Sequence, residues 1–446
     1  MMLVLGGGPA GRLASIRAAD AGEQVVLIEK RSLGGQCLHD GCMQVCGFND
    51  IARMIQSARV AERSGATHGV PEVDFPGMLA GVAAIQMDIA AILEQETRSA
   101  GVEIIYGAEG RIEDGEAIVG GNAMNADTII IATGSRPHIP DIPGIGLPGI
   151  FTPHTLRNMQ NLPERIGIIG GGIMAAEFAY IFSSLGSETH IFSRSDFLHQ
   201  IPHRLAKEAR RDLGSVTIHE HSGVSEIIGR DRVTGICADG ATIDLDCVLI
   251  AAGLIPNSGM VTGVEKGYNG TILVNNRFET SVPGIFACGD VIGEPCLTPV
   301  ARLQGIAAAD AALGRDVSVD LACLPRSMSL GYEYTWCDEC EEDGVTLTMP
   351  GPAGPGTFWS VADRRTGISS LTVNGDSGRI LEFAQASPAA GVMGMYMGYL
   401  AKKGESIHNM ASIFEVHPTS DGMYTAIKYT DARLSKHKTT ISSQDR

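Results

Sequence analysis

At 446 residues the chain is too long for one ordinary core, so several domains are expected. Its 44% hydrophobic and 19% charged content excludes disorder, and a net charge of −17 argues against nucleic acid, whose phosphates need clustered Lys and Arg. No stretch approaches the roughly 18 to 20 continuous apolar residues of a membrane span, no basic leader precedes the first apolar run, and the ten cysteines are scattered. A cytosolic protein with thiols reduced by default is expected.

Residues 2–30 read as strand, loop, helix, strand. Leu3 to Leu5 form a short apolar strand, and Gly6, Gly8 and Gly11 make a GxGxxG loop. The small residues Ala14, Ala18 and Ala19 follow on a helix, and Val25 to Ile28 form a second strand that ends at Glu29. The glycines allow a tight turn, approach of backbone to a pyrophosphate, and close helix–strand packing. The helix N-terminus faces the phosphates, and Glu29, 23 residues after Gly6, is placed to accept hydrogen bonds from ribose hydroxyls.

Cys37 and Cys42, in GGQCLHDGC, come next. Their spacing suits one turn of chain at a loop-to-helix junction, with Gly41 relieving strain. A helix N-terminus at Cys42 would lower its pKa and favour its thiolate. Beside a redox cofactor, such a pair predicts a disulfide made and broken during turnover. Two buried cysteines that merely lie close is the other reading of the spacing.

The Pro- and Gly-rich stretch HIPDIPGIGLPG reads as a linker, after which the strand–loop–helix pattern returns with Gly170, Gly172 and Ala175 in the three glycine positions. Ser193 stands where the first copy has its acid, and Arg194 follows. An acid there would repel a 2′-phosphate, whereas Ser plus Arg would bind one, so NADP(H) is favoured over NAD(H). Two nucleotide sites suggest a flavin and a nicotinamide cofactor, and the first copy, with its acid and adjacent thiols, is the better FAD site.

The order GGGPAG, GGQCLHDGC, IIIATGSRP (129–137), GGGIMAAEFA, LIAAGLIPN (249–257), FACGDV (286–291), LTPVA (297–301) and EVHPT (415–419) resembles the flavin-dependent pyridine nucleotide–disulfide oxidoreductases over nearly the whole chain. That family includes dihydrolipoamide dehydrogenase, glutathione reductase and mercuric reductase. The resemblance implies an α/β fold of two Rossmann-like domains, one inserted in the other, plus a C-terminal α+β dimerisation domain. Residues 1–150 and 271–318 would bind FAD, 151–270 would bind NAD(P), and 319–446 would form the dimer interface. The segment PAAGVMGMYMGYLAKKG in that last part has an apolar, Met-rich face suited to helix packing.

The same resemblance implies roles for single residues. Gly6, Gly8, Pro9, Ala10, Gly11, Glu29, Lys30, Gly35, Ala132, Thr133 and Gly134 would line the FAD site, with Ala108 at the adenine through its backbone. Asp290 would bind the ribityl chain, and Leu297, Thr298 and Ala301 would lie near the isoalloxazine. Gly170, Gly172, Ile173, Met174, Ser193, Arg194 and Gly253 would hold the nicotinamide nucleotide, with Glu177 near the nicotinamide and flavin N5. Cys42 would face the flavin, Cys37 would attack a thiol or disulfide substrate, and His417 would shuttle the proton from across a homodimer. Passing electrons to a quinone, dioxygen or a metal ion, or serving as a subunit of a larger redox complex, are the alternatives.

Two places depart from the pattern. Relatives carry Glu five residues after the His; here that position is Gly422, with Asp421 beside it, so either Asp421 substitutes or the ring is less firmly held. Relatives place a Lys after the second Cys, where this chain has Val45 and Cys46. Cys46, one helical turn on, is either a third redox thiol or a small space-filling side chain. Cys337 and Cys340 form a CxxC without a second pair, which leaves a redox pair, a half-site completed across a dimer, or no role. The final 106 residues contain no cysteine, which weakens a metal-ion reductase reading.

Overall fold

A computed structural model describes residues 1–337 and 342–444. Cys340 therefore lies outside the described residues. The chain forms two compact units: Met1–Phe48, Asp74–Asn161 and Val248–Asp320 make the first, and Asn49–Val73, Leu162–Cys247 and the chain from Leu321 onward make the second.

The first unit is built on a parallel sheet in the order Ile285–Ala287, Thr128–Ile131, Met2–Leu5, Val25–Glu29, Glu103–Tyr106. Met2–Leu5 is buried at every residue, which is why it reads as an unbroken apolar run. Helix Pro9–Asp20 packs on one face against helix Thr298–Ala312. Their facing alanines explain the small-residue pattern: a Cβ on Gly305 would stand 2.1 Å from the Ala10 carbonyl oxygen. A three-stranded antiparallel sheet, Gly110–Glu113, Glu116–Val119 and Asn122–Met124, completes the unit.

Helix Phe75–Ser99 also belongs here. Its 25 residues are long and apolar enough, by length and composition, to cross a membrane. The sequence reading required an unbroken apolar run, whereas this helix reaches the threshold on average because Ala, Ile, Leu and Met outweigh its few charges. Its polar residues make contacts within the unit: Thr97 accepts from Arg12 Nε at 3.0 Å, and Gln86 donates to the Leu38 carbonyl at 2.7 Å.

In the second unit, Arg165–Ile169, Glu188–Phe192 and Val216–His219 pair in parallel, with helix Ile173–Leu185 following the first strand. A small antiparallel sheet follows at Val224–Gly229, Val233–Ala238 and Ala241–Asp244. The C-terminal part carries an antiparallel sheet in the order Arg326–Ser329, Glu333–Trp336, Ile380–Ser387, Ile368–Val373, Val345–Pro350. Tyr334, Trp336 and Phe383 are among its fully buried side chains.

Candidate active site

The candidate residues of the first unit gather at the C-terminal ends of its parallel strands, where open α/β sheets place ligands. Gly6, Gly8, Pro9, Ala10 and Gly11 join the first strand to its helix. Gly6 has φ +103°, and a Cβ on Gly11 would stand 1.9 Å from the Gly6 carbonyl oxygen, so neither position admits another residue. Gly8 caps the helix without a side chain, which leaves the first-turn N–H groups for an anion. Gly35 packs on Gly8, where a Cβ would come within 2.8 Å of its Cα.

Glu29 is buried at the end of the second strand, with exposed Lys30 beside it. Its Oε2 accepts from Gly7 N–H at 2.8 Å and its Oε1 from Arg31 N–H at 2.7 Å. The acid thus closes the glycine loop and keeps lone pairs for hydroxyl donors.

Ala132, Thr133 and Gly134 continue the strand Thr128–Ile131, and Thr133 is pinned by Asn257 through bonds of 2.7 and 3.0 Å. Asp290, in the turn Gly289–Ile292, accepts from Ser135 Oγ at 2.7 Å, and burial raises its pKa. A partly buried carboxylate that accepts one side-chain hydroxyl keeps acceptor capacity, which a polyhydroxyl chain satisfies. Leu297, Thr298 and Ala301 open the next helix, and Ala108 follows the strand Glu103–Tyr106. Glycine clearances, free helix N–H groups and under-used carboxylates on one sheet edge fit a flavin dinucleotide.

The thiols sit beside this cradle. Cys37 lies in the short helix Gly35–His39, and Cys42 is the first residue of helix Cys42–Arg63. Cys42 Sγ is 3.7 Å from Thr298 Oγ1. The hydrogen bond from the Cys42 thiol holds Cys37 down to about 6, with smaller help from Thr298 and the Arg302 guanidinium. That bond holds Cys42 well above the usual thiol value. Cys42 is exposed by surface area, so the shared proton, rather than burial, is its main cause. The sequence placed the thiolate on Cys42 from its helix N-terminus; the structure gives one easily lost proton to the pair. Burial instead pushes Cys288 and Cys296 up to about 12.

Residues that the sequence reading passed over fix this turn. Asp40, with a fully buried carboxylate, pairs with Arg31 at 2.8 Å and with Arg157. His154 Nε2 contacts Gln36 Oε1 at 3.1 Å, and burial lowers the pKa of that imidazole. His39 Nε2 bonds the Leu33 carbonyl at 2.9 Å. Asp40 lay in plain view between the cysteines, but its partner Arg157 is 117 residues away and carries no local signal.

The second glycine loop is built alike but closed differently. Gly170, Gly172, Ile173 and Met174 lead into helix Ile173–Leu185. Ser193 is buried and donates to the Ser195 carbonyl at 2.8 Å, so its proton is turned away from a ligand. Arg194 is exposed, with no hydrogen-bond or ion-pair partner among the described residues. Glu177 accepts from Ser329 N–H at 2.9 Å. Gly253 falls in the first unit, apart in grouping from the other nucleotide-site candidates.

His417 is exposed, with no hydrogen-bond partner among the described residues. Asp421 does not orient it: its Oδ1 accepts from Gln385 Nε2 at 2.6 Å and from Met423 N–H at 2.9 Å, capping the last helix. A Cβ on Gly422 would stand 2.8 Å from Ser369 Oγ, so a larger residue there would have to displace that hydroxyl. Cys46 is exposed on helix Cys42–Arg63, which removes the space-filling reading, and Cys337 is buried. Among the described residues, no group of three His, Cys, Asp or Glu is arranged for a metal ion.

The family model described as pyridine nucleotide-disulphide oxidoreductase matches residues 1–305. The dihydrolipoyl dehydrogenase of Haemophilus influenzae is 26% identical over 94% of this chain and 92% of its own length. That of Acholeplasma laidlawii is 30% identical over 69% of this chain and 94% of its own length. Among solved structures, LpdA from Mycobacterium tuberculosis and the HOCl-induced flavoprotein disulfide reductase RclA from Escherichia coli each superpose with a TM-score of 0.84 at 22% identity, covering 96% of this chain and 99% of theirs. These two establish the fold.

Proposed function

The chain belongs to the pyridine nucleotide-disulphide oxidoreductase family, and from that premise we propose that it moves electron pairs between NADP(H) and a thiol or disulfide substrate through Cys37 and Cys42. The family uses FAD and a pyridine nucleotide. Bound FAD supplies a two-electron carrier between the nicotinamide and the sulfur pair. The observation that carries the proposal is the Cys37–Cys42 pair, with its lowered first pKa, beside the cradle that fits the flavin.

Starting from the reduced pair, the Cys37 thiolate attacks one sulfur of a substrate disulfide. The substrate S–S bond breaks, a mixed disulfide forms, and the first substrate thiol leaves with a proton. Cys42 then loses its proton and attacks Cys37, which releases the second substrate thiol and leaves the Cys37–Cys42 disulfide. Two electrons have passed from the pair to the substrate. The same parts run in reverse for oxidation of a dithiol.

His417 is the proton carrier in this reading, reaching Cys37 of a second copy. Support for a homodimer comes from apolar side chains left open near it: Phe414 and Val416 are 97% and 80% exposed. Met395, Tyr396 and Tyr399 on helix Ala390–Lys402 are likewise exposed, as the Met-rich segment anticipates. The NADP(H) preference rests on Arg194 alone, because the Ser193 hydroxyl is committed to Ser195.

One observation favours a second reading, delivery of electrons to a quinone or dioxygen: Asp421 is spent on Gln385 and the last helix, so no carboxylate five or four residues on orients His417. Replacing Cys37 with Ser separates the two. Loss of disulfide turnover with no quinone or oxygen reduction remaining supports the proposal, whereas lost disulfide turnover with quinone or oxygen reduction retained supports the second reading. Disulfide turnover that survives the substitution contradicts it.

A further inference from the structure

A cavity of about 590 Å³ lies wholly within the second unit, and none of the residues assigned above lines it. Its volume suits a small organic ligand. One wall is a single face of helix Cys42–Arg63, where Arg53, Gln56, Val60 and Arg63 recur at three- and four-residue intervals, with Arg59 beside them. The opposite wall carries Arg211 and Asp212, from the end of helix His203–Asp212, and Arg365.

Five guanidinium groups thus face one hollow against two carboxylates, Asp212 and Asp363, in a chain whose net charge is −17. Four of the five are engaged. Arg365 holds Asp212 at 2.5 Å, Arg63 holds Asp363 at 3.0 Å, Arg211 holds Glu208 at 2.9 Å, and Arg53 faces Glu333 at 3.9 Å while donating to the Leu330 carbonyl at 2.6 Å. Arg59 has no hydrogen-bond or ion-pair partner among the described residues. The uncompensated charge is therefore one guanidinium at a concave surface, which suits one anionic group.

The rim adds an independent feature. Phe358 and Trp359, on one short turn, are 65% and 53% exposed, with ring centroids 5.6 Å apart and planes nearly perpendicular. Two open aromatic rings set edge to face provide a stacking surface for a third ring.

We propose that this cavity binds a planar aromatic anion, a ring bearing one carboxylate or phosphate monoester, with the anion on Arg59 and the ring against Trp359 and Phe358. The disulfide chemistry does not use these side chains, so the site is separable from turnover.

Calorimetry on the FAD-loaded protein tests this with 2-naphthoate, 2-naphthyl phosphate and neutral 2-naphthol; comparing the two anions tells carboxylate from phosphate. One anion is expected to bind once per chain, about tenfold tighter than naphthol. Arg59→Gln should remove that advantage without changing naphthol binding, and Arg59→Lys should restore part of it. Trp359→Ala should weaken all three probes, with Trp359→Phe intermediate, and disulfide turnover should be unchanged throughout. Naphthol binding as tightly as both anions, an unaltered affinity in Arg59→Gln, or displacement of the probe by NADPH would overturn the proposal. So would a Trp359→Ala protein that binds every probe normally but loses its oligomeric state, because the rings would then serve a second copy.

Discussion

The thiol turn and the His417 loop are both read as catalytic, yet they are held in opposite ways. Around Cys37 and Cys42 the chain spends a buried carboxylate, two arginines, a histidine and a glutamine on fixing a few residues. Around His417 the acid four residues on, Asp421, is turned into the sheet and the ring is open to solvent. Electron transfer through sulfur needs fixed distances that one chain can set by itself. A proton carrier tolerates looser placement, and here its orientation is left to whatever covers the loop.

The largest expected effect breaks the first half of that comparison. Cys37→Ser or Cys42→Ser should lower NADPH-dependent disulfide reduction by about 1000-fold or more while FAD stays bound, since neither half of the exchange proceeds without both sulfurs. His417→Ala should cost only about 100-fold, at the low end of general acid–base contributions, because no carboxylate hydrogen-bonds the ring. A loss as great as that of the cysteine variants would mean that the loop is as well organised as the thiol turn.

Smaller effects sharpen the comparison. The thiolate is the nucleophile and Cys37 is held down to about 6, so substrate attack should be lost as pH falls through 6 and be nearly flat above 7. Thr298→Val removes a hydroxyl that favours the thiolate and should move that limb to higher pH. Gly422→Glu should give no gain in turnover and should lower stability by about 1–3 kcal/mol, because its Cβ meets Ser369 Oγ at 2.8 Å. A faster Gly422→Glu enzyme with unaltered thermal midpoint would show that the loop accepts an orienting acid after all.

Much of the first unit was legible because its signals are local. The glycine loop, the apolar strand and Glu29 occur within 30 residues, and each has its role set by steric or hydrogen-bonding need. The thiol pKa was not legible. Helix position pointed to Cys42, but the dominant effect is the proton shared with Cys37, which depends on side-chain geometry. Ser193 shows the same limit: its residue type suggested a phosphate ligand, and only the structure reveals that its hydroxyl is used by Ser195. Helix Phe75–Ser99 escaped a search for unbroken apolar runs because interspersed polar residues hide a high average hydropathy.

The most direct test is an anaerobic titration of the FAD-loaded protein with NADPH, followed by absorbance and thiol count. The account predicts that the first two electrons leave the flavin oxidised, produce a long-wavelength thiolate–flavin band and add two titratable thiols, all lost in Cys42→Ser. Direct bleaching of the flavin by those two electrons, with no band and no new thiols, would contradict it.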